Sequence, residues 1–144
     1  MSEKVSSDNE TLAVLMNIKS CLKFPEEIVK KLENRGHNVV VVIPSDGKKI
    51  VMFPTEANTG IYTRIDIEKG SQLTDAFFPE LPKVLGKYQL KTLFTTGVCL
   101  SSELCYWEGV FEYREGISID ELRNELEKIK TVDTVKMTIL APLA

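Results

Sequence analysis

The alternation of apolar and polar positions divides the chain into strand-like and helix-like segments. Residues 11–18, TLAVLMNI, are almost continuously apolar. The run is short for a helix, so it predicts a strand buried on both faces. The next segment, FPEEIVKKLENRG, carries helix signals at both ends. Pro25 suits a first helical position, Glu26 and Glu27 complement the positive end of the helix dipole, and Gly36 suits its close. Ile28, Val29 and Leu32 form its expected buried stripe. NVVVVIPSDGKKIVMFP then predicts a β-hairpin, because β-branched residues favour strands and Asp46-Gly47 supplies the positive φ of a tight turn.

After the loop TEANTG, the segment IYTRIDIE alternates strictly. Ile61, Thr63, Ile65 and Ile67 face one way, while Tyr62, Arg64, Asp66 and Glu68 face the other, as in a half-buried strand. SQLTDAFFPELPKVLGKY predicts a helix capped by Ser71, which Pro79 and Pro82 break into two short pieces. KTLFTTGVCL and LCYWEGVFEY predict strands joined through Ser101, Ser102 and Glu103. SIDELRNELEKI carries the clearest helix pattern. Ser118 and Glu121 form a capping box, and Leu122, Leu126 and Ile129 form a stripe. DTVKMTILA predicts a closing strand.

The predicted order is β-α-β-β followed by β-α-β-β-α-β, an α+β fold class. Residues 61–141 have the split β-α-β order of a ferredoxin-like fold, an antiparallel sheet with helices on one face. Residues 11–54 run through the same element order as 61–113 without sharing a residue pattern. That first block is expected either to continue the second block's sheet or to pack across it. The domain expectation is a disordered tail over 1–10 and a single α+β domain over 11–144, made of the blocks 11–54 and 61–141.

Composition narrows the function classes. The chain has 144 residues, 18 Lys+Arg against 21 Asp+Glu, and a net charge of −3. That balance weighs mildly against a nucleic-acid binder, which needs concentrated positive charge. No apolar run is long enough to span a bilayer, and the polar start MSEKVSSDNE has no signal region. The three cysteines, Cys21, Cys99 and Cys105, are an odd number, which points to reduced thiols in a cytoplasm.

If Ser102 centres an odd-length turn, Cys99 and Cys105 lie opposite each other within reach of a disulfide. The plainer reading is two small apolar side chains in a core, reduced and functionally silent. His37 is the single histidine, placed just after the helix-closing glycine, and no C-x-x-C, G-x-S-x-G, H-E-x-x-H, P-loop or G-x-G-x-x-G motif occurs. No catalytic residue, metal ligand or cofactor is therefore assigned. Carboxylate chemistry through Asp66, Glu68, Glu108 or Glu112 stays open as an enzyme reading. Trp107, Phe111 and Tyr113 are expected in the core. Tyr62, Arg64, Tyr106, Glu108 and Glu112, with Val110, are expected on the open sheet face, either as the walls and polar contacts of a ligand groove or as a face covered by a second copy.

The β-α-β order resembles small regulatory modules of the ACT type. The stretch TLAVLMNIKSCLKFPEEIVKKLENRGHNVVVV is also similar to the opening strand, helix and strand of such a module, with Gly36 leading into the second strand. KSCLKF stands where that family carries its ligand loop. GIYTRIDIEKGSQLTDAFFPEL resembles the gyrase-inhibitor-like effector-binding domains, built from two β-α-β-β units. That resemblance implies a small-molecule pocket with a buried acidic residue, by position Glu108 or Glu112. NIKSCLKFP is similar to a short segment of the TATA-binding-protein saddle, and IYTRI to an RNA-recognition strand. LCYWEGVFEY, however, places acids where such RNA binders carry a basic residue and glycine.

These readings converge on a non-catalytic, cytoplasmic regulatory protein that forms a homodimer. It would bind a small-molecule effector or a protein partner through its sheet face and make no contact with a membrane. The alternatives are nucleic-acid binding on that face and an enzyme of unrecognised type.

Overall fold

The structure is a computed structural model that describes residues 10–21 and 23–143. The tail expected over 1–10 lies outside the described residues except for Glu10. The chain folds as two compact units. One runs to Gly60 and takes in the chain end from Leu140; the other is Ile61–Ile139.

In the first unit, β1 (Leu12–Asn17) is followed by a helical turn, α1 (Ile18–Cys21), and by α2 (Glu26–Glu33). β2 (Asn38–Ile43) and β3 (Val51–Thr55) then form the expected hairpin, with Val42 opposite Val51. Its turn is closed by the Gly47 N–H to Pro44 carbonyl bond at 2.8 Å, with Gly47 at φ +67°. A positive φ is the conformation that glycine adopts without penalty. A short last strand, β8 (Pro142–Leu143), is absent from the predicted order and runs parallel to β1. The sheet order is β3-β2-β1-β8.

Three expectations are corrected in this unit. β1 is only partly buried: Leu15 is enclosed, while Leu12 at its start is exposed. α2 buries none of its residues, and Ile28 is 46% exposed. The helix also ends at Asn34 rather than at Gly36. Gly36 is required for space instead, because a Cβ there would sit 2.4 Å from the backbone of Thr55.

In the second unit, β4 (Gly60–Ile67) leads into a π-helical turn, Leu73–Phe77, that continues as α3 (Phe78–Lys87). β5 (Lys91–Cys99), β6 (Cys105–Glu112), α4 (Ile119–Glu127) and β7 (Val132–Leu140) follow. The sheet order is β5-β6-β4-β7. That is the ferredoxin-like arrangement expected from the sequence. The two blocks form separate sheets, so the first does not continue the second.

The alternation of β4 decides its faces as predicted: Ile61, Thr63, Ile65 and Ile67 are buried, and Tyr62, Arg64 and Asp66 are half-buried. Ile65 and Ile67 join Trp107 and Phe111 of β6 beneath Phe77, Leu81, Leu122 and Leu126 of the two helices. The rings of Phe77 and Trp107 lie 5.9 Å apart and those of Trp107 and Phe111 6.1 Å apart. Gly109 sits between Trp107 and Phe111 in β6, and a Cβ there would come within 2.3 Å of the indole.

Pro79 and Pro82 do not break the segment: Pro79 falls in the first turn of α3, where its missing N–H has no intrahelical partner to lose, and Pro82 is carried inside α3. The cap is Gln72, which forms a reciprocal box with Asp75, rather than Ser71. Ser118 caps α4 as predicted, its Oγ accepting the Glu121 N–H at 3.3 Å. No helix among the described residues is long and apolar enough to cross a membrane.

Candidate functional site

The two strands that carry the predicted site residues are neighbours in the centre of the second sheet. Strand periodicity puts Tyr62, Arg64 and Asp66 of β4 on the face away from the helices. The same parity does so for Tyr106, Glu108, Val110 and Glu112 of β6, since Trp107 and Phe111 point to the helices. The register with β5 sets Val98 opposite Tyr106, Thr96 opposite Glu108 and Lys91 opposite Glu112.

The side chains on this face are linked to one another. The Tyr62 hydroxyl donates a short hydrogen bond to Glu108 Oε2. The Arg64 guanidinium lies over the Tyr106 ring, 3.9 Å from its centroid, a favourable cation–π geometry. Arg64 Nη2 also pairs with Asp66 Oδ1 at 3.1 Å, and the Thr134 hydroxyl of β7 donates to Asp66 Oδ2 at 3.0 Å. Burial works against the Arg64 charge, but the hydrogen bond and charge of Asp66, with help from Glu108, outweigh it and hold the guanidinium pKa above its ordinary value. Glu112 pairs with Lys91 Nζ at 3.5 Å.

The expectation of an open face is not met along β6. Tyr106, Glu108 and Val110 are all buried, and Glu108 is only 1% exposed. β6 is an interior strand between β5 and β4, and both of its faces are withdrawn from water. A carboxylate in such a position is costly unless hydrogen-bonded or paired, which Tyr62 helps to provide. Tyr113 lies just past the strand, half-buried, its hydroxyl donating to the Ile117 carbonyl at 3.2 Å.

Thr134 belongs to the network but was not among the candidates, and Asp66 was one only for carboxylate chemistry. The alternation of β4 had already placed Asp66 on this face; the contribution of β7 depends on strand order, which the local pattern does not carry. His37 is exposed, as expected, with Nε2 3.4 Å from Asn58 Oδ1. Among the described residues no group of three or more His, Cys, Asp or Glu could hold a metal ion.

The cysteine expectation is overturned at one pair. Cys99 and Cys105 are directly opposed in the β5–β6 ladder, with Cα atoms 4.0 Å apart, and are joined by a disulfide. The antiparallel register is the physical reason, since it brings the two sulfurs together at the end of the hairpin.

Two hollows on the helix side exceed a third, of 410 Å³, beside Tyr88. One of 640 Å³ is lined by residues that include Glu80, Val84, Glu125 and Lys128. The other, of 530 Å³, is largely apolar and lined by residues that include Leu81, Pro82, Leu85, Gly86 and Trp107. None of the five predicted site residues lines either one. Pro82 and Gly86, four apart on α3, are the sequence signal that marks the second.

No family model matches the chain, and no curated protein matches it. Among solved structures, it is similar to a formyltetrahydrofolate deformylase from Pseudomonas putida KT2440, with a TM-score of 0.41 and 15% identity. That likeness covers 58% of this chain, and the chain spans only 29% of the deformylase. It is also similar to a proposed glycine cleavage system transcriptional repressor, with a TM-score of 0.48 and 9% identity over 91% of this chain and 96% of that one.

Proposed function

We propose that the chain is a non-catalytic regulatory protein that binds a small-molecule effector through the β4–β6 sheet face of its second unit. The observation that carries this reading is the buried Glu108 carboxylate, held by Tyr62 beside an arginine–aromatic pair. Buried ionic groups are a poor source of stability, whereas a carboxylate among aromatic walls is a suitable recognition group. Its complement is a compact ligand that combines a cationic or hydrogen-donating group with an apolar body. The half-buried Tyr62 and Arg64 would contact it first, Tyr106 and Glu108 would be reached once this closed face opens, and Glu112 would lie at its edge. Three acidic residues on this face, Asp66, Glu108 and Glu112, disfavour a phosphate backbone. A second copy of the chain is the protein partner this reading names, with β5 and β7 at the sheet edges as the pairing strands.

The test is a thermal-shift panel of amino acids, polyamines and quaternary ammonium compounds on the wild type and on Glu108→Gln. One cationic class should raise the melting temperature of the wild type; saturation at about a hundred times Kd corresponds to roughly 2.7 kcal/mol. The same class should leave Glu108→Gln unmoved. Equal shifts in both proteins, or none in the wild type, would discard the sheet face as the site.

A further inference from the structure

The β5–β6 hairpin carries its disulfide in an asymmetric setting. Cys105 is buried at the edge of the helix-side core, while Cys99 is exposed. The loop that follows is open to solvent: Leu100 is 69% exposed and Leu104 52%. A nucleophile from solution therefore meets the Cys99 sulfur first.

The tip does not depend on the sulfur bridge for its conformation. The Leu100 N–H donates to the Leu104 carbonyl at 2.8 Å, and the Gly70 N–H donates to the Glu103 carbonyl at 3.1 Å. Gln72 Nε2 donates to the Ser102 carbonyl at 2.5 Å. Gln72 Oε1 sits 3.8 Å from the Cys99 sulfur and 3.7 Å from the Cys105 sulfur. That oxygen is placed to accept from either thiol once the bridge is opened, so the reduced pair fits the same backbone.

From this geometry we propose that Cys99 and Cys105 form a reversible thiol–disulfide exchange site, entered at Cys99 and closed by Cys105, with dithiols as its reductants. The thiolate of a dithiol attacks Cys99 Sγ, and the Cys99–Cys105 bond breaks. Its electron pair passes to Cys105 Sγ, which takes a proton. The second thiolate of the reductant then attacks its own sulfur in the mixed disulfide and releases Cys99, which is protonated in turn. Two electrons and two protons move to the protein, and the dithiol becomes a disulfide. In reverse, Cys105 attacks the mixed disulfide carried on Cys99. The site is on the helix side of the sheet and is independent of the effector reading.

The experiment uses the full chain with Cys21→Ser, folded and without denaturant. It is equilibrated over a range of reduced to oxidised dithiothreitol, alkylated with iodoacetamide and weighed intact. Cys99 and Cys105 should gain label together, and only on the reducing side. Labelling before any reductant, or reduction only after denaturation, would overturn the proposal. A second comparison exposes Cys105→Ala and Cys99→Ala to oxidised glutathione. The remaining Cys99 should be captured at least tenfold faster than the remaining Cys105, and equal rates would remove Cys99 as the point of entry. If Cys105→Ala does not fold, the dithiothreitol series on the folded chain decides alone.

Discussion

Two regions of this chain pass through the same order of elements and pair their strands differently. In the first unit β1 lies directly beside β2, antiparallel from Leu12–Ile43 to Asn17–Asn38. In the second, β4 and β5 are not neighbours, because β6 lies between them. The intervening helices differ in what they bury. The π-turn and α3 enclose Leu73, Phe77 and Leu81, and a helix laid on a sheet carries the chain past one strand position. α2 encloses nothing, and the segment from Ile18 to His37 is closed at its base by the Ile18 N–H to His37 carbonyl bond at 3.0 Å. Residues 18–37 are thus an insertion in an antiparallel hairpin, while residues 68–90 are a true crossover. Shared element order is not shared topology, and the two blocks are not a structural repeat.

The sharpest way to break this contrast is to truncate each helix. Phe77→Ala should cost about 3–5 kcal/mol in denaturant unfolding, the usual loss for a large core aromatic. Ile28→Ala on α2 should stay within about 0.5 kcal/mol, as for an exposed position. Equal losses would mean that α2 is packed after all. Next in size is Gly36→Ala, which forces a methyl against the Thr55 backbone and should cost about 1–3 kcal/mol, as overpacking does. Amide exchange should place the weakening in β2 and β3, with β4 and β6 unaffected; a loss spread evenly over both units would contradict the division. A smaller change than at Phe77 or Gly36 is expected at Thr63, buried with a hydroxyl that has no hydrogen-bond partner among the described residues. Thr63→Val keeps the shape and removes the unsatisfied group, so it should gain up to about 1 kcal/mol in the same unfolding assay. A loss there would reveal a partner for that oxygen.

Much of the second unit was legible in local pattern. The alternation of Ile61 to Ile67, the Ser118 cap and the stripe of Leu122, Leu126 and Ile129 each state a burial that the fold satisfies. The first unit was less legible because its helix stripe, Ile28, Val29 and Leu32, has the right spacing but is only partly covered, with Val29 and Leu32 half-buried and Ile28 exposed. Periodicity reports what a segment is able to bury, not what arrives to bury it. The candidate site was legible to the same degree. Parity put Tyr62, Arg64, Tyr106 and Glu108 on one face, but their pairing and the burial of β6 depend on which strands lie alongside. The cysteines reverse the lesson: composition argued for thiols, and the register of one hairpin joined two of them.

The sequence by itself determined the order of the main strands and helices, the apolar side of β4 and which residues share a face, because these follow from repeats of two and 3.6 residues. Only the tertiary structure decided strand order, the enclosure of Glu108 and the contact of Gly36 with Thr55. Each of these is a meeting of segments distant along the chain, set by competition for buried surface that no local window contains.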